Sequence, residues 1–108
     1  MLVWAKTRGF PFWPGKVLRA VKGDFDIRFF GALHDRSLVQ ANKCYWLSKE
    51  CPAYSRANNS MEFKVSIGEL NRHIEKLILA YGSFNYAPIK MECDINNPFT
   101  FVDKFPGN

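Results

Sequence analysis

Gly9-Phe10-Pro11-Phe12-Trp13-Pro14 sets three large aromatic rings among two prolines within six residues. Each proline fixes φ and removes a backbone donor, so the segment turns or kinks and is not expected to continue as an interior strand or helix. A turn normally lies on the surface. Large rings belong there only if the loop folds back over a core or if some of them form a receptor. The alternation suggests both, with Phe12 anchoring the loop while Phe10 and Trp13 stay available.

The sequence on either side reads as short strands. Leu2 to Lys6 is a strand closed by a turn at Thr7-Arg8-Gly9, and because it begins at the second residue the chain reads as a fragment. Downstream, Gly15 to Val21 alternates imperfectly, with Val17, Arg19 and Val21 on one face. Lys22-Gly23-Asp24 then turns into Phe25 to Phe30, where Phe25, Ile27 and Phe29 share a face, so the two segments form a hairpin. Gly31 ends that strand. Ser37 to Gln40 is a further strand, and Tyr45 to Leu47 is a short last strand or a turn of 3₁₀ helix. Short strands punctuated by Gly and Pro predict a small five-stranded antiparallel β-barrel over about residues 2–50. Trp4, Phe12 and Phe30 are expected to fill it, because so small a barrel needs large rings.

Beyond Cys51-Pro52 the pattern changes. Ser55 to Asn59 reads as a polar mobile loop. Phe63, Ile67, Leu70, Ile74, Leu77 and Tyr81 then recur at steps of four and three, the stripe of an amphipathic helix over about residues 60–81. Asn59 fits the N-cap with Glu62 three residues on, and Gly82 fits the residue that stops the helix. Gly68 is costly inside a helix and is expected to mark close packing on the barrel. Phe84 to Pro88 is expected to pack back as an extended segment, completing a domain over residues 1–88. Residues 89–108 read as a C-terminal extension with Phe99, Phe101 and Phe105 seeking cover. The expected class is mainly β with α.

Composition narrows the function. The 108 residues allow one domain, and 17 aromatics supply enough apolar area to fold without a metal or a disulfide. Cys44, Cys51 and Cys93 are odd in number and lack the short spacing of a zinc site, so no metal or cofactor is expected and the reduced state is the simplest reading. No apolar run approaches a membrane span. His73 lies off the helical stripe and reads as a surface residue. His34-Asp35-Arg36 has no accompanying nucleophile motif or phosphate loop, so no enzyme is expected. Net charge is +5; residues 1–50 hold nine Lys or Arg against four Asp or Glu, and residues 51–108 hold six of each. The excess shares the half that carries the aromatic motif, which suits an acidic partner such as DNA.

Val3-Trp4-Ala5-Lys6, Gly9 to Pro14 and Arg28-Phe29-Phe30-Gly31 together resemble the PWWP domain of the Tudor and chromodomain group, with Phe at the second position of the namesake tetrapeptide. His34-Asp35-Arg36, Asn42 to Tyr45, Leu47 to Glu50 and Phe84 to Pro88 are similar to the PWWP module of MYND-type zinc-finger proteins that also carry a PHD finger and a bromodomain. The resemblance implies a nuclear chromatin reader that binds a methylated histone H3 tail, usually at lysine 36, together with nucleosomal DNA. It implies a methyl-lysine cage of Phe10, Trp13 and Phe29, consistent with the affinity of aromatic faces for a weakly hydrated cation. Lys6 and Arg8 match positions that grip DNA phosphate, and Arg56 and Lys64 extend that surface. Some members carry an acidic residue directly after Gly31; here it is Ala32, and Asp35 is the candidate replacement for a histone-tail contact. An adjacent bromodomain is a further implied partner. Two other readings stay open: a nonspecific DNA-binding module whose aromatics only pack, and a protein-interaction scaffold.

Overall fold

The hairpin expected around Lys22-Gly23 is present and sets the register of the sheet. In the computed structural model, which describes residues 1–31 and 35–93, Lys22 and Gly23 have φ of 49° and 85°. Two consecutive positive φ values define the type I′ turn, whose twist matches that of the flanking strands. Strands β2 (Trp13–Val21) and β3 (Asp24–Phe29) leave this turn antiparallel, with Val21 opposite Asp24 and Arg19 opposite Asp26. A bulge at Leu18 then shifts the register, so that Val17 faces Ile27, Lys16 faces Arg28 and Gly15 faces Phe29. The bulge explains the imperfect alternation of β2: Val17 is buried, whereas Leu18 and Arg19 are both exposed.

Three more strands complete an antiparallel sheet. Strand β1 (Leu2–Ala5) pairs with β2, strand β4 (Arg36–Gln40) with β3, and strand β5 (Cys44–Trp46) with β1, giving the order β4-β3-β2-β1-β5. One turn of 3₁₀ helix, Ala41–Lys43, links β4 to β5. All five strands contribute to one buried cluster, among them Val3, Val17, Phe25, Ile27, Phe29, Val39, Cys44 and Trp46. The sheet therefore wraps around a core.

Pro14 corrects an expectation. It lies in β2, opposite Trp4, with β1 and β3 on either side. Being second in the strand, it places its missing donor at the mouth of the ladder, and its carbonyl still accepts from the Phe30 N–H at 3.1 Å. The Ser55–Asn59 stretch, expected as a polar mobile loop, contains regular structure. Arg56–Asn59 forms a 3₁₀ turn in which the Ser55 N–H donates to Oδ1 of buried Asn58 at 2.5 Å.

Helix α1 (Met61–Tyr81) follows. Its N-cap is Ser60 rather than Asn59: the Ser60 hydroxyl accepts from the Phe63 N–H at 3.1 Å. Gly82, with φ of 90°, ends it as expected. Phe63, Leu70 and Ile74 bury the stripe against Leu2, Trp4 and Leu47, a second cluster outside the barrel. Tyr81 leaves the pattern at 79% exposed, because a 21-residue helix of about 31 Å outruns the sheet it lies on. Phe30 and His73 also depart from their expected places. Each is half-buried, and their rings face one another across the sheet–helix junction at 5.5 Å.

Gly68 does not mark the close approach. Among the described residues, a Cβ there would meet only the Arg72 guanidinium, at 3.7 Å. The close approach is at Gly31, where φ is 66° and a Cβ would lie 3.0 Å from both Cα and Cβ of Ser66. Ser66 is fully buried, with its hydroxyl donating to the Phe63 carbonyl at 2.6 Å. After α1 the chain returns as expected, with Ala87 bridging Ser48 and its N–H donating to the Leu47 carbonyl at 2.8 Å. Contact then continues beyond Pro88: Glu92 bridges Tyr45, and the Trp46 N–H donates to the Met91 carbonyl at 2.9 Å. Phe99, Phe101, Phe105 and His34 lie outside the described residues.

Candidate functional site

The aromatic site is assembled at the mouth of the β2–β3 ladder. Gly15 faces Phe29 across it, and a Cβ at Gly15 would lie 2.5 Å from the Ile27 Cγ2 and 3.3 Å from the Phe29 ring. Glycine here lets Phe29 lean across β2. Trp13, two residues before Gly15 and so on the same face of the strand, packs against the cluster that contains Phe29. Its indole Nε1–H donates to the Phe30 carbonyl at 2.9 Å, and its ring meets Phe63 of α1 edge to face at 5.3 Å. Trp13 is thus held by β3 and by the helix while remaining half-buried. Trp13 and Phe29 thus border the same cluster, with Phe29 only 9% exposed.

Phe10 occupies the loop that leads into Trp13. It is 60% exposed, and its N–H donates to the Thr7 carbonyl at 3.1 Å around Gly9, whose φ is 84°. The Lys6 ammonium donates to the carbonyls of both Thr7 and Phe10. It therefore braces the aromatic loop from within. Phe12 turns the other way, its ring 5.6 Å from that of Tyr45 and packed toward the second cluster, which makes it the anchor. Trp4 is buried, with its indole N–H on the Ser48 carbonyl at 3.0 Å.

The remaining sequence-predicted residues lie around this mouth. Asp35 is exposed, and its carbonyl accepts from the Phe29 N–H at 2.9 Å, so it sits directly beside Phe29 in the ladder. Arg8 is exposed at the tip of the turn. Arg56 and Lys64 are exposed on the 3₁₀ turn and the first turn of α1, the latter beside the Phe63 that abuts Trp13.

A row of cations was missed in the sequence. Lys16 faces Arg28, and Arg28 faces Arg36, so three exposed cations lie side by side across β2, β3 and β4. Like charges directly opposite one another destabilise a sheet, so such a row calls for an anionic counterpart. Buried Asp26 is one: its carboxylate takes Arg36 at 2.6 Å and Arg19 at 3.3 Å. The hydrogen bond from Arg36 is the main reason that its carboxyl is held below the ordinary range, against the opposing effect of burial and with help from Arg19. Burial, and then the charges of Lys16, the N-terminus and Lys76, lower the pKa of His73, which locates further positive charge where α1 crosses the sheet. The row was visible in principle from the type I′ turn, but without the bulge Lys16 would have been set opposite Phe29.

The cysteine thiols are free. Burial pushes Cys44 up to about 12, which leaves it protonated and inert at neutral pH. Among the described residues no group of three or more His, Cys, Asp or Glu side chains could hold a metal ion, and no helix is long and apolar enough to cross a membrane.

A fold of this kind, with an aromatic mouth at the start of β2 and a helix laid over β1 and β2, defines a class of small barrel modules. Residues 1–75 match the PWWP domain family, and the chain belongs to it. The chain is also similar to the MYND-type zinc finger-containing chromatin reader Zmynd8 of Drosophila melanogaster, with 34% identity over 96 residues that cover 87% of this chain. It spans 6% of the length of that relative.

Proposed function

We propose that this chain is a nuclear chromatin-reading module that binds a histone H3 tail methylated at a lysine, in the di- or trimethyl state of lysine 36, together with nucleosomal DNA. The observation that carries the reading is the packing of Trp13 against the cluster that contains Phe29, with an exposed Phe10 on the braced loop that leads into Trp13. In this reading Phe29 is the floor of the cage, Trp13 a fixed wall, and Phe10 a second wall. Each favourable contact with the methylammonium contributes about 0.5 to 2 kcal/mol. Asp35, beside Phe29, contacts the tail. The relative's description as a chromatin reader supports the assignment.

The DNA surface comprises Arg8, Arg56 and Lys64, with the row Lys16, Arg28 and Arg36 added by the sheet register. Lys6 serves the loop as well as the surface. Phosphate contacts supply affinity that falls with salt, and the tail supplies methyl selectivity; linked on one nucleosome, the two reinforce each other through effective concentration. Binding to nucleosomes that are unmodified or trimethylated at H3 lysine 36 tests this, at two salt concentrations, for wild type and Trp13→Ala. Methylation is expected to tighten binding, Trp13→Ala to abolish that gain, and salt to weaken every case. Salt dependence without methyl dependence would leave a nonspecific DNA-binding module. A scaffold role toward an adjacent bromodomain is the second reading, favoured by Leu79 and Tyr81, which stand 87% and 79% exposed at the end of α1.

A further inference from the structure

The peptide between Phe30 and Gly31 is gripped at both ends by side chains from different elements. Its carbonyl accepts the Trp13 indole N–H at 2.9 Å, and its N–H donates to Oε2 of Glu69 on α1 at 2.5 Å. The order is therefore carboxylate, peptide, indole, a chain of two hydrogen bonds running from the helix to the aromatic mouth. A carboxylate that accepts a peptide N–H draws positive charge toward that end and makes the carbonyl at the other end a better acceptor, so the two bonds strengthen one another. The same peptide is fixed by packing. Gly31 has φ of 66° and lies against the backbone of Ser66, one helical turn from Glu69, so the peptide cannot drift without moving the helix.

We infer that Glu69 is a positioning residue for the aromatic site: through the Phe30–Gly31 peptide it fixes the plane of the Trp13 ring. It makes no contact with the bound tail. Trp13 is half-buried, and its edge-to-face contact with Phe63 does not by itself set the turn of the indole about its Cβ–Cγ bond. The bond to the Phe30 carbonyl fixes that rotation. Holding the ring in place before the cation arrives avoids an ordering cost on binding. The carboxylate is legible only in three dimensions, since 38 residues separate Gly31 from Glu69.

This inference rests on the reader assignment for its functional half and stands apart from it for its structural half. The test measures the indole N–H resonances of the three tryptophans in wild type, Glu69→Gln, Glu69→Ala and, as a charge control, Glu75→Ala; Trp13→Phe assigns the Trp13 signal. In Glu69→Ala the Trp13 indole proton is expected to move upfield while those of Trp4 and Trp46 stay in place. Glu69→Gln, which keeps an acceptor without the charge, should give a smaller shift, and Glu75→Ala none. The gain in affinity on H3 lysine 36 trimethylation should fall several-fold in Glu69→Ala, with the salt dependence unchanged. A Trp13 signal that stays put in Glu69→Ala, or one that moves while the methyl-dependent gain is intact, overturns the inference. If wild type shows no methyl-dependent gain, the reader assignment fails instead, and the indole resonances still decide whether the linkage exists. Should Glu69→Ala not fold, the Glu69→Gln shift decides the same question.

Discussion

Replacing Gly31 with alanine separates two costs that usually arrive together. The backbone there has φ of 66°, and an added Cβ would lie 3.0 Å from Cα and Cβ of Ser66 and 3.2 Å from its nitrogen. The left-handed conformation costs an L-residue about 1 to 2 kcal/mol. The contact is with helix backbone and not with the tip of a flexible side chain, so α1 must move, an overpacking cost of about 1 to 3 kcal/mol. Gly31→Ala should therefore destabilise by about 2 to 5 kcal/mol. Gly23 and Gly82 supply the controls: their φ values are 85° and 90°, and a Cβ at either meets nothing within 4 Å among the described residues. Alanine at those sites should cost the conformational part alone, about 1 to 2 kcal/mol. Urea unfolding of the three variants reads the difference, and with slopes of roughly 1 to 3 kcal/mol/M the Gly31 midpoint should fall further than the controls by about 1 M. Equal midpoints would refute the claim that the end of β3 is docked on Ser66 by close approach.

Gly68→Ala should act in the opposite direction, raising stability by about 1 kcal/mol in the same assay, because helix propensity improves and the nearest atom to a new Cβ is the Arg72 guanidinium at 3.7 Å. Gly15→Ala, whose Cβ would lie 2.5 Å from Ile27 Cγ2 and 3.3 Å from the Phe29 ring, should displace Phe29 and cost about 1 to 3 kcal/mol; nucleosome binding should lose its methyl dependence and keep its salt dependence. Asp26→Asn tests the pairing with Arg36 and Arg19. Because the folded carboxyl is held below its ordinary range, its stabilisation is present above an unfolded value of about 3.9 and is lost as pH falls through the folded value. The stability gap between wild type and Asp26→Asn should narrow in acid, and a gap that widens there would contradict the pairing.

The barrel and helix were legible because their signals are local. Phe25, Ile27 and Phe29 alternate within one strand, and Phe63, Leu70 and Ile74 repeat within one helix; each pattern needs only its own neighbours to be read. The N-cap was displaced from Ser60 to Asn59 because Asn59 offers the same chemistry one residue earlier, and the choice depends on how the preceding 3₁₀ turn ends. What stayed hidden was non-local. The bulge at Leu18 shifts the pairings of Val17, Lys16 and Gly15 by one residue, and the imperfect alternation around it marks an irregularity without giving the register. Gly68 drew attention as a glycine inside a helix, yet the close approach belongs to Gly31, a strand-end glycine whose partner lies in another element. At the aromatic mouth, Phe10 and Trp13 stood out because rings beside prolines are unusual, whereas the role of Lys6 in bracing their loop follows from a carbonyl geometry that sequence does not carry.

The segment that returns along β5 bears on where this domain can be cut. Met91 and Glu92 meet Trp46 and Tyr45 on the outer side of the last strand in the sheet, some sixteen residues beyond the end of the family match at residue 75. An excision that stops at residue 75 or 88 would leave that side of β5 bare, with open backbone groups that invite a strand from another molecule. Pieces trimmed to the motif would then cluster in solution, and avidity among clustered copies would imitate tight chromatin binding. A cut beyond Cys93 keeps that side covered, so the affinity measured is that of a single domain.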